Sequence, residues 1–262
     1  MKKYLVIGNP INHSLSPDLH NYWIKKNKID AIYEKKEIIK EDLQNIILQI
    51  KQQNIHGVNI TVPFKKDIVP FTDNLSPEAA ATQSVNTIYL NNGEIFGHNT
   101  DIAGFELSLN KIKFNVQNKK ILILGAGGVV PSLIFALERM KASLVMVSNR
   151  TKEKALELKK NFQNLEVVNW GDLPEFDLII NATSVGLKKE DKLNLDFSNI
   201  NNKLFYDVIY NPKETDFLKT GKMLGNITEN GKMMFVYQAH QAFTIWHKIM
   251  PEINDEVINI LK

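Results

Sequence analysis

The 262-residue chain contains no cysteine, which excludes disulfides, thiolate chemistry and cysteine-based zinc sites. Long apolar runs are missing too. The basic start, Met1-Lys2-Lys3, leads into only Tyr4 to Ile7 before Gly8-Asn9-Pro10, too short for a signal-peptide core, and no later run approaches membrane-spanning length. A cytoplasmic location and no membrane partner are expected. Charge of one sign is scarce: 32 Lys and Arg face 29 Asp and Glu, a net +3 with the charges scattered rather than blocked. No nucleic-acid footprint follows from that balance, and so small a basic excess decides nothing about an anionic ligand. The six histidines are dispersed and no His-Glu-x-x-His spacing occurs, so no metal is expected. The Gly-x-Ser-x-Gly turn of α/β-hydrolases is also absent.

What is present is alternation. Tyr4 to Ile7, Ala31 to Tyr33 and Val58 to Ile60 are short apolar runs suited to strands. Between them, Leu19, Tyr22 and Trp23, then Leu43, Ile46, Ile47 and Ile50, recur at helical spacing. Alternation of this kind predicts a mostly parallel sheet covered by helices. Val85 to Leu90 and Glu94 to Phe96 flank Asn91-Asn92-Gly93 and predict a hairpin.

Three polar stretches fall at the ends of these elements, where open α/β sheets build their sites. In Asn12-His13-Ser14-Leu15-Ser16-Pro17, Ser16 suits a helix N-cap with proline at the first helical position, whereas Ser14 has no such role. In Gly57-Val58-Asn59-Ile60-Thr61-Val62-Pro63-Phe64-Lys65-Lys66, strand alternation puts Asn59 and Thr61 on the face opposite Val58, Ile60 and Val62. Pro63 then ends the ladder and projects Lys65 beyond it. In Gly97-His98-Asn99-Thr100-Asp101, Asp101 suits either a cap for the helix starting near Ile102 or an acid with chemistry to do.

A second alternation begins at Lys119. The apolar run Ile121 to Leu124 enters Gly125-Ala126-Gly127-Gly128, and a helix is predicted from Val129 to Met140. Strand, glycine turn and helix N-terminus in that order suit a phosphate, although Val130 stands where a third glycine would complete the fingerprint. The next strand, Leu144 to Val147, ends in Ser148-Asn149-Arg150-Thr151 with Lys154 following. An NAD site places Asp or Glu near here. Asn149, Arg150, Thr151 and Lys154 instead suit a 2′-phosphate, so NADP rather than NAD is expected. Strands over Asp177 to Ile180 and Leu204 to Val208 and a long helix over Met233 to Met250 complete the pattern, with a short helix from about Asn254.

Taken together, these stretches resemble the shikimate dehydrogenases over nearly the whole length. The motifs stand in order: Asn12 to Pro17, Gly57 to Lys65, Val85-Asn86-Thr87, Asn99-Thr100-Asp101, Gly125 to Gly128, Asn149-Arg150-Thr151, Asn181-Ala182-Thr183-Ser184-Val185-Gly186, Tyr206-Asp207-Val208-Ile209-Tyr210 and Gln238-Ala239. The resemblance implies two α/β domains facing a cleft: a substrate-binding domain of residues 1–101 plus 238–262 with a mostly parallel sheet, and a Rossmann-like NADP domain of residues 102–237. It implies that Ser14, Ser16, Asn59, Thr61, Lys65, Asn86, Asp101, Tyr210 and Gln238 hold shikimate, and that Lys65 and Asp101 are the catalytic pair. It gives Gly125, Ala126, Gly127, Gly128, Asn149, Arg150, Thr151, Lys154, Thr183, Val208 and Gly231 to the cofactor.

The implied reaction is NADPH-dependent reversible reduction of 3-dehydroshikimate to shikimate, by a monomer or homodimer. A dehydrogenase acting on quinate or with relaxed cofactor use, a folate-type NADP dehydrogenase and a non-catalytic nucleotide-binding sensor are the alternatives. The chain departs from the family at Val129-Val130-Pro131-Ser132, where small residues and a basic one are common. It departs again at Gln83-Ser84, where Gly-Ala is usual, and that change is expected to affect packing more than chemistry.

Overall fold

The computed structural model describes residues 1–188 and 190–261. The chain divides into one unit of Met1–Gly104 with Val236–Lys262 and a second of Phe105–Phe235. The first contains β1 (Lys2–Gly8), α1 (Ser16–Lys26), β2 (Ala31–Glu37), α2 (Leu43–Lys51), β3 (Gly57–Ile60), β4 (Asn74–Leu75), α3 (Pro77–Thr82), β5 (Thr87–Asn91), β6 (Glu94–His98) and the start of α4 (Asp101–Lys111). Its sheet has the order β2-β1-β3-β5-β6-β4. The pairs β1/β2, β1/β3 and β4/β6 are parallel, while β3/β5 and β5/β6 are antiparallel. The predicted hairpin is β5–β6. Its turn has Asn92 and Gly93 both at positive φ (50° and 82°), the pairing that matches the twist of the flanking strands.

The helical spacing of Leu43, Ile46, Ile47 and Ile50 becomes the buried stripe of α2, packed with Leu5, Ile7, Val58, Ile60, Ile88 and Ile95. Alternation along β1 turns Tyr4 to the other face, against Trp246 at 5.1 Å between ring centroids.

The second unit holds β7 (Lys120–Leu124), α5 (Val130–Arg139), β8 (Leu144–Ser148), α6 (Lys152–Lys159), β9 (Leu165–Val168), β10 (Leu178–Asn181), β11 (Leu204–Asp207), α7 (Asp216–Met223) and β12 (Ile227–Asn230). The chain returns to the first unit along α8 (Lys232–His247) and ends with α9 (Asp255–Ile260). All strand pairs in this sheet are parallel, in the order β12-β11-β10-β7-β8-β9. That is the doubly wound dinucleotide-binding order, with its switch point between β7 and β10. β10 and β11 are buried throughout, as strands covered on both faces must be.

Several local expectations are corrected. Ser16 is not the cap of α1 but its first helical residue; Leu15 occupies the cap position and supplies no side-chain bond. Ser14 takes the local task instead, its hydroxyl accepting from the Ser16 N–H at 3.3 Å. β3 stops at Ile60, so Thr61 lies outside it, and Val62 is half exposed rather than turned inward. The long helix ends at His247, where Lys248 turns to φ 55° ahead of Pro251. The departure at Gln83-Ser84 has a local structural consequence. Gln83 closes α3 in the left-handed region at φ 48°, which a glycine adopts without strain, and the buried Ser84 hydroxyl has no hydrogen-bond partner. No helix among the described residues is long and apolar enough to cross a membrane.

Candidate active site

In the first unit the polar stretches gather at one edge of the mixed sheet. β1 and β3 run parallel, so the segments carrying Ser14 and Thr61 to Lys65 leave at the same end. β5, antiparallel to β3, starts at that end just after Asn86, and β6 finishes there before Asn99-Thr100-Asp101. Backbone bonds tie the segments together: Ile60 N–H donates to the Asn86 carbonyl, Asn86 N–H to that of His98, and Val85 N–H to that of Lys65, each at 2.9 Å. The last of these holds the irregular segment from which Lys65 projects.

Lys65 and Asp101 are buried, 8% and 6% exposed, with Nζ 2.5 Å from Oδ2. Withdrawing two charges from water is costly unless their remaining valences are also satisfied. On the carboxylate they are: Asp101 Oδ1 accepts from Asn86 Nδ2 at 2.9 Å. The orientation of that amide is fixed from behind, because Asn86 Oδ1 accepts from the Thr100 backbone N–H at 2.8 Å and from the Thr87 hydroxyl at 3.0 Å. A backbone N–H can only donate, so the NH₂ end of Asn86 must face Asp101. Asp101 heads α4, but its carboxylate does not cap the helix; Asn99 Oδ1 accepts the Asp101 N–H at 3.2 Å. Of the two tasks its position suited, the side chain performs the pairing with Lys65.

Asn59 extends this network. Its Nδ2 donates to the Asn86 carbonyl at 3.1 Å and to the Thr87 hydroxyl at 2.9 Å, and its Oδ1 accepts from the Tyr33 hydroxyl at 2.7 Å. Thr61 follows β3 and packs its methyl against Gly8. Ser14 and Tyr33 line one cavity with Pro17, Asp18, Glu34 and Lys35. Gln238 is half buried on α8. The network therefore joins Asn59, Asn86, Asp101 and Lys65 directly. It also recruits Thr87, Thr100 and Tyr33, for which no separate task was expected from sequence. Thr87 was visible within its motif; Tyr33, in an apolar run, carried only the signal of a core residue.

In the second unit every residue expected at the cofactor lies at the carboxyl edge of the parallel sheet. Gly125 follows β7, Asn149 and Arg150 follow β8, Thr183 follows β10, Val208 follows β11 and Gly231 follows β12. Gly125, at φ +111°, lies at the switch point; a Cβ there would sit 2.9 Å from the Ala182 carbonyl oxygen. Gly127 is different. It is exposed, and a Cβ would come no nearer than 3.9 Å to that oxygen. Beyond it Val130 opens α5, buried, with Pro131 in the tolerated first turn. The open ground over Gly127 and the helix N-terminus behind it fit a pyrophosphate. Arg150, Thr151 and Lys154 are exposed, and the Asn149 amide donates to the Thr151 carbonyl at 2.7 Å, shaping the turn that carries them.

Thr183 is held from below by Asn181, whose Oδ1 accepts from its N–H and hydroxyl, while Asn181 Nδ2 reaches the Asp207 carboxylate. Burial pushes Asp207 up to about 6, against hydrogen bonds from Thr215, Ile209 and Asn181 that favour its charged form. Gly231 is required by close approach: a Cβ would stand 2.1 Å from the Val208 carbonyl oxygen. Tyr210, in the same unit, stacks on Phe235 at 4.5 Å.

A parallel sheet of this order with a glycine turn at its switch point, in a chain whose other α/β unit carries a buried lysine–carboxylate pair, defines a two-domain oxidoreductase dependent on a nicotinamide nucleotide. The chain belongs to the shikimate dehydrogenase family. Residues 6–88 match the sequence model of the shikimate dehydrogenase substrate binding domain, and residues 106–210 match that of shikimate / quinate 5-dehydrogenase. Shikimate dehydrogenase (NADP(+)) of Pelagibacter ubique is 59% identical over 261 residues, covering 99% of this chain and 98% of that protein. The crystal structure of shikimate dehydrogenase from Aquifex aeolicus superposes with a TM-score of 0.92 at 38% identity, covering 100% and 97% of the two chains. Shikimate 5-dehydrogenase of Thermus thermophilus, solved in complex with NADP(H) and shikimate, gives 0.91 at 31% identity, covering 100% and 98%.

Proposed function

We propose that this chain catalyses the NADPH-dependent reversible reduction of 3-dehydroshikimate to shikimate, with Lys65 and Asp101 handling the proton. The observation that carries the reading is the buried Lys65–Asp101 pair with the Asn86 amide locked onto the second carboxylate oxygen. Asn86 donates to Asp101 Oδ1 while Lys65 faces Oδ2, and in this reading Lys65 carries the mobile proton. Lys65 then donates it to the substrate oxygen as the ketone is reduced and takes it back in the reverse direction. Asp101 orients the ammonium and balances its charge. Ser14, Ser16, Asn59, Thr61, Asn86, Tyr210 and Gln238 bind and orient the ring, which lowers the barrier by fixing geometry rather than by chemistry.

NADPH, when bound, supplies the hydride. Gly125 to Gly128 and the start of α5 would hold its pyrophosphate, with Asn149, Arg150, Thr151 and Lys154 on the 2′-phosphate and Thr183, Val208 and Gly231 along the carboxyl edge. In this reading the first unit carries the catalytic pair and all the substrate ligands but Tyr210, and the second carries the cofactor residues.

Following nucleotide absorbance in purified protein, with shikimate or quinate each offered against NADP and NAD, tests the proposal. Shikimate with NADP is expected to give the highest kcat/KM, and Arg150→Ala to lower kcat/KM for NADP far more than for NAD. Turnover with quinate alone, or equal losses for the two nucleotides, would contradict the assignment.

A further inference from the structure

Tyr33 is 1% exposed and sits at the point where helix α1 meets strands β2 and β3. Two residues of α1 bear on it. The Asn21 amide clamps its backbone from both sides, accepting from the Tyr33 N–H at 2.9 Å and donating to its carbonyl at 2.8 Å. The His20 ring lies flat on the Tyr33 ring, 4.2 Å between centroids and 3° between planes. From β3, Asn59 Oδ1 takes the Tyr33 proton at 2.7 Å.

The direction of these bonds is determined. Asn59 Nδ2 is committed to the Asn86 carbonyl, which can only accept, so Asn59 Oδ1 must be the end facing Tyr33. Tyr33 has one proton, and Asn59 receives it. The amide of Asn59, proposed to bind the substrate ring, is thus held by one buried hydroxyl.

We infer that Tyr33 is a positioning residue for the substrate: its hydroxyl fixes Asn59, while His20 and Asn21 fix Tyr33. The inference rests on the reading of Asn59 as a substrate ligand. Tyr33 itself takes no part in the proton transfer.

The test is steady-state kinetics of Tyr33→Phe, Asn59→Ala and the double variant, with thermal midpoints measured alongside. Tyr33→Phe keeps the ring, the stack and the backbone clamp and removes one hydroxyl. The KM for shikimate is expected to rise about 3- to 10-fold, the scale of one lost hydrogen bond, with kcat and the KM for NADP within about twofold of the parent. Because Tyr33 works through Asn59, the double variant is expected to be less impaired than the product of the single effects.

An unchanged shikimate KM in Tyr33→Phe, while Asn59→Ala raises it, overturns the inference. So do fully multiplicative effects, or a fall in kcat alone. An unchanged KM in Asn59→Ala overturns instead the reading of the substrate site. Should Tyr33→Phe not fold, Asn21→Ala serves. It leaves the hydroxyl and releases the backbone, and an unchanged shikimate KM there overturns the inference in the same way.

Discussion

Lys65 shows how one side chain is made chemical by its surroundings. An exposed lysine is a solvated charge, the ordinary fate of the residue. At 8% exposure, with a carboxylate partner oriented by an amide that is itself oriented by a backbone N–H, the proton on Nζ becomes a positioned one. Lys65→Ala is expected to lower kcat by a factor on the order of 10²–10⁴ while binding of NADP, measured by fluorescence or calorimetry, persists. Near-parental turnover would remove Lys65 from the mechanism. Loss of nucleotide binding would mean that the substitution had damaged more than a proton donor. The residue types at this site were legible, because Lys65, Asn86 and Asp101 each stand in a polar stretch at a strand end. The bond directions were not, since they depend on Thr87 and Thr100 meeting Asn86 across strands.

At the scale of elements, two glycines of one turn have separate tasks. Gly125 serves the fold: it needs φ +111°, and a side chain there would press on the Ala182 carbonyl. Gly127 has no left-handed φ and room for a Cβ, 3.9 Å from the Ala182 carbonyl oxygen, so under the proposed function its missing side chain serves the cofactor. Gly125→Ala is expected to destabilise the protein by roughly 1–3 kcal/mol through backbone strain and contact, read as a fall in thermal midpoint. Gly127→Ala is expected to leave the midpoint near the parent value and to raise the Kd for NADP. A loss of stability at 127 with unaltered binding would reverse this division.

The same comparison marks what periodicity could reveal. Apolar runs such as Ile121 to Leu124 were legible as strands because they are buried on both faces. β4, β9 and β12 were not, being short or edge strands with exposed or half-buried residues that carry no apolar run. Tyr33 escaped for the converse reason. It is an aromatic residue in an apolar stretch, and only the tertiary structure brings Asn59 to its hydroxyl.

Across the whole molecule the buried ionisable groups are unevenly shared. The first unit holds the histidines that burial holds low: His20 at about 3, His247 at about 4, with His56, His98 and His240 displaced in the same direction. The second holds carboxylates that burial raises, Asp207 to about 6 together with Glu138 and Glu229. These have opposite consequences. Below about 6.5 the unfolded chain protonates His20 and the folded chain does not, so stability of the first unit falls as pH drops from there toward about 3. The slope is roughly 1.4 kcal/mol per pH unit for His20 alone. Between about 6 and its ordinary value of 3.8, Asp207 is protonated in the folded chain but not in the unfolded one, so the second unit gains stability over that interval. Glu175, Asp177 and Asp196 in the second unit are shifted down and act the other way, but they are exposed or nearly so and therefore screened. Mild acid is accordingly expected to open the first unit before the second. Hydrogen exchange at pH 7 and pH 4.5, corrected for the intrinsic rate, should show protection falling in β1–β3 and α1 while β7, β10 and β11 keep theirs. In His20→Phe the loss in the first unit should be smaller by the His20 share. Equal losses in both units, or a pH response unchanged by His20→Phe, would refute the assignment of acid sensitivity to the buried histidines.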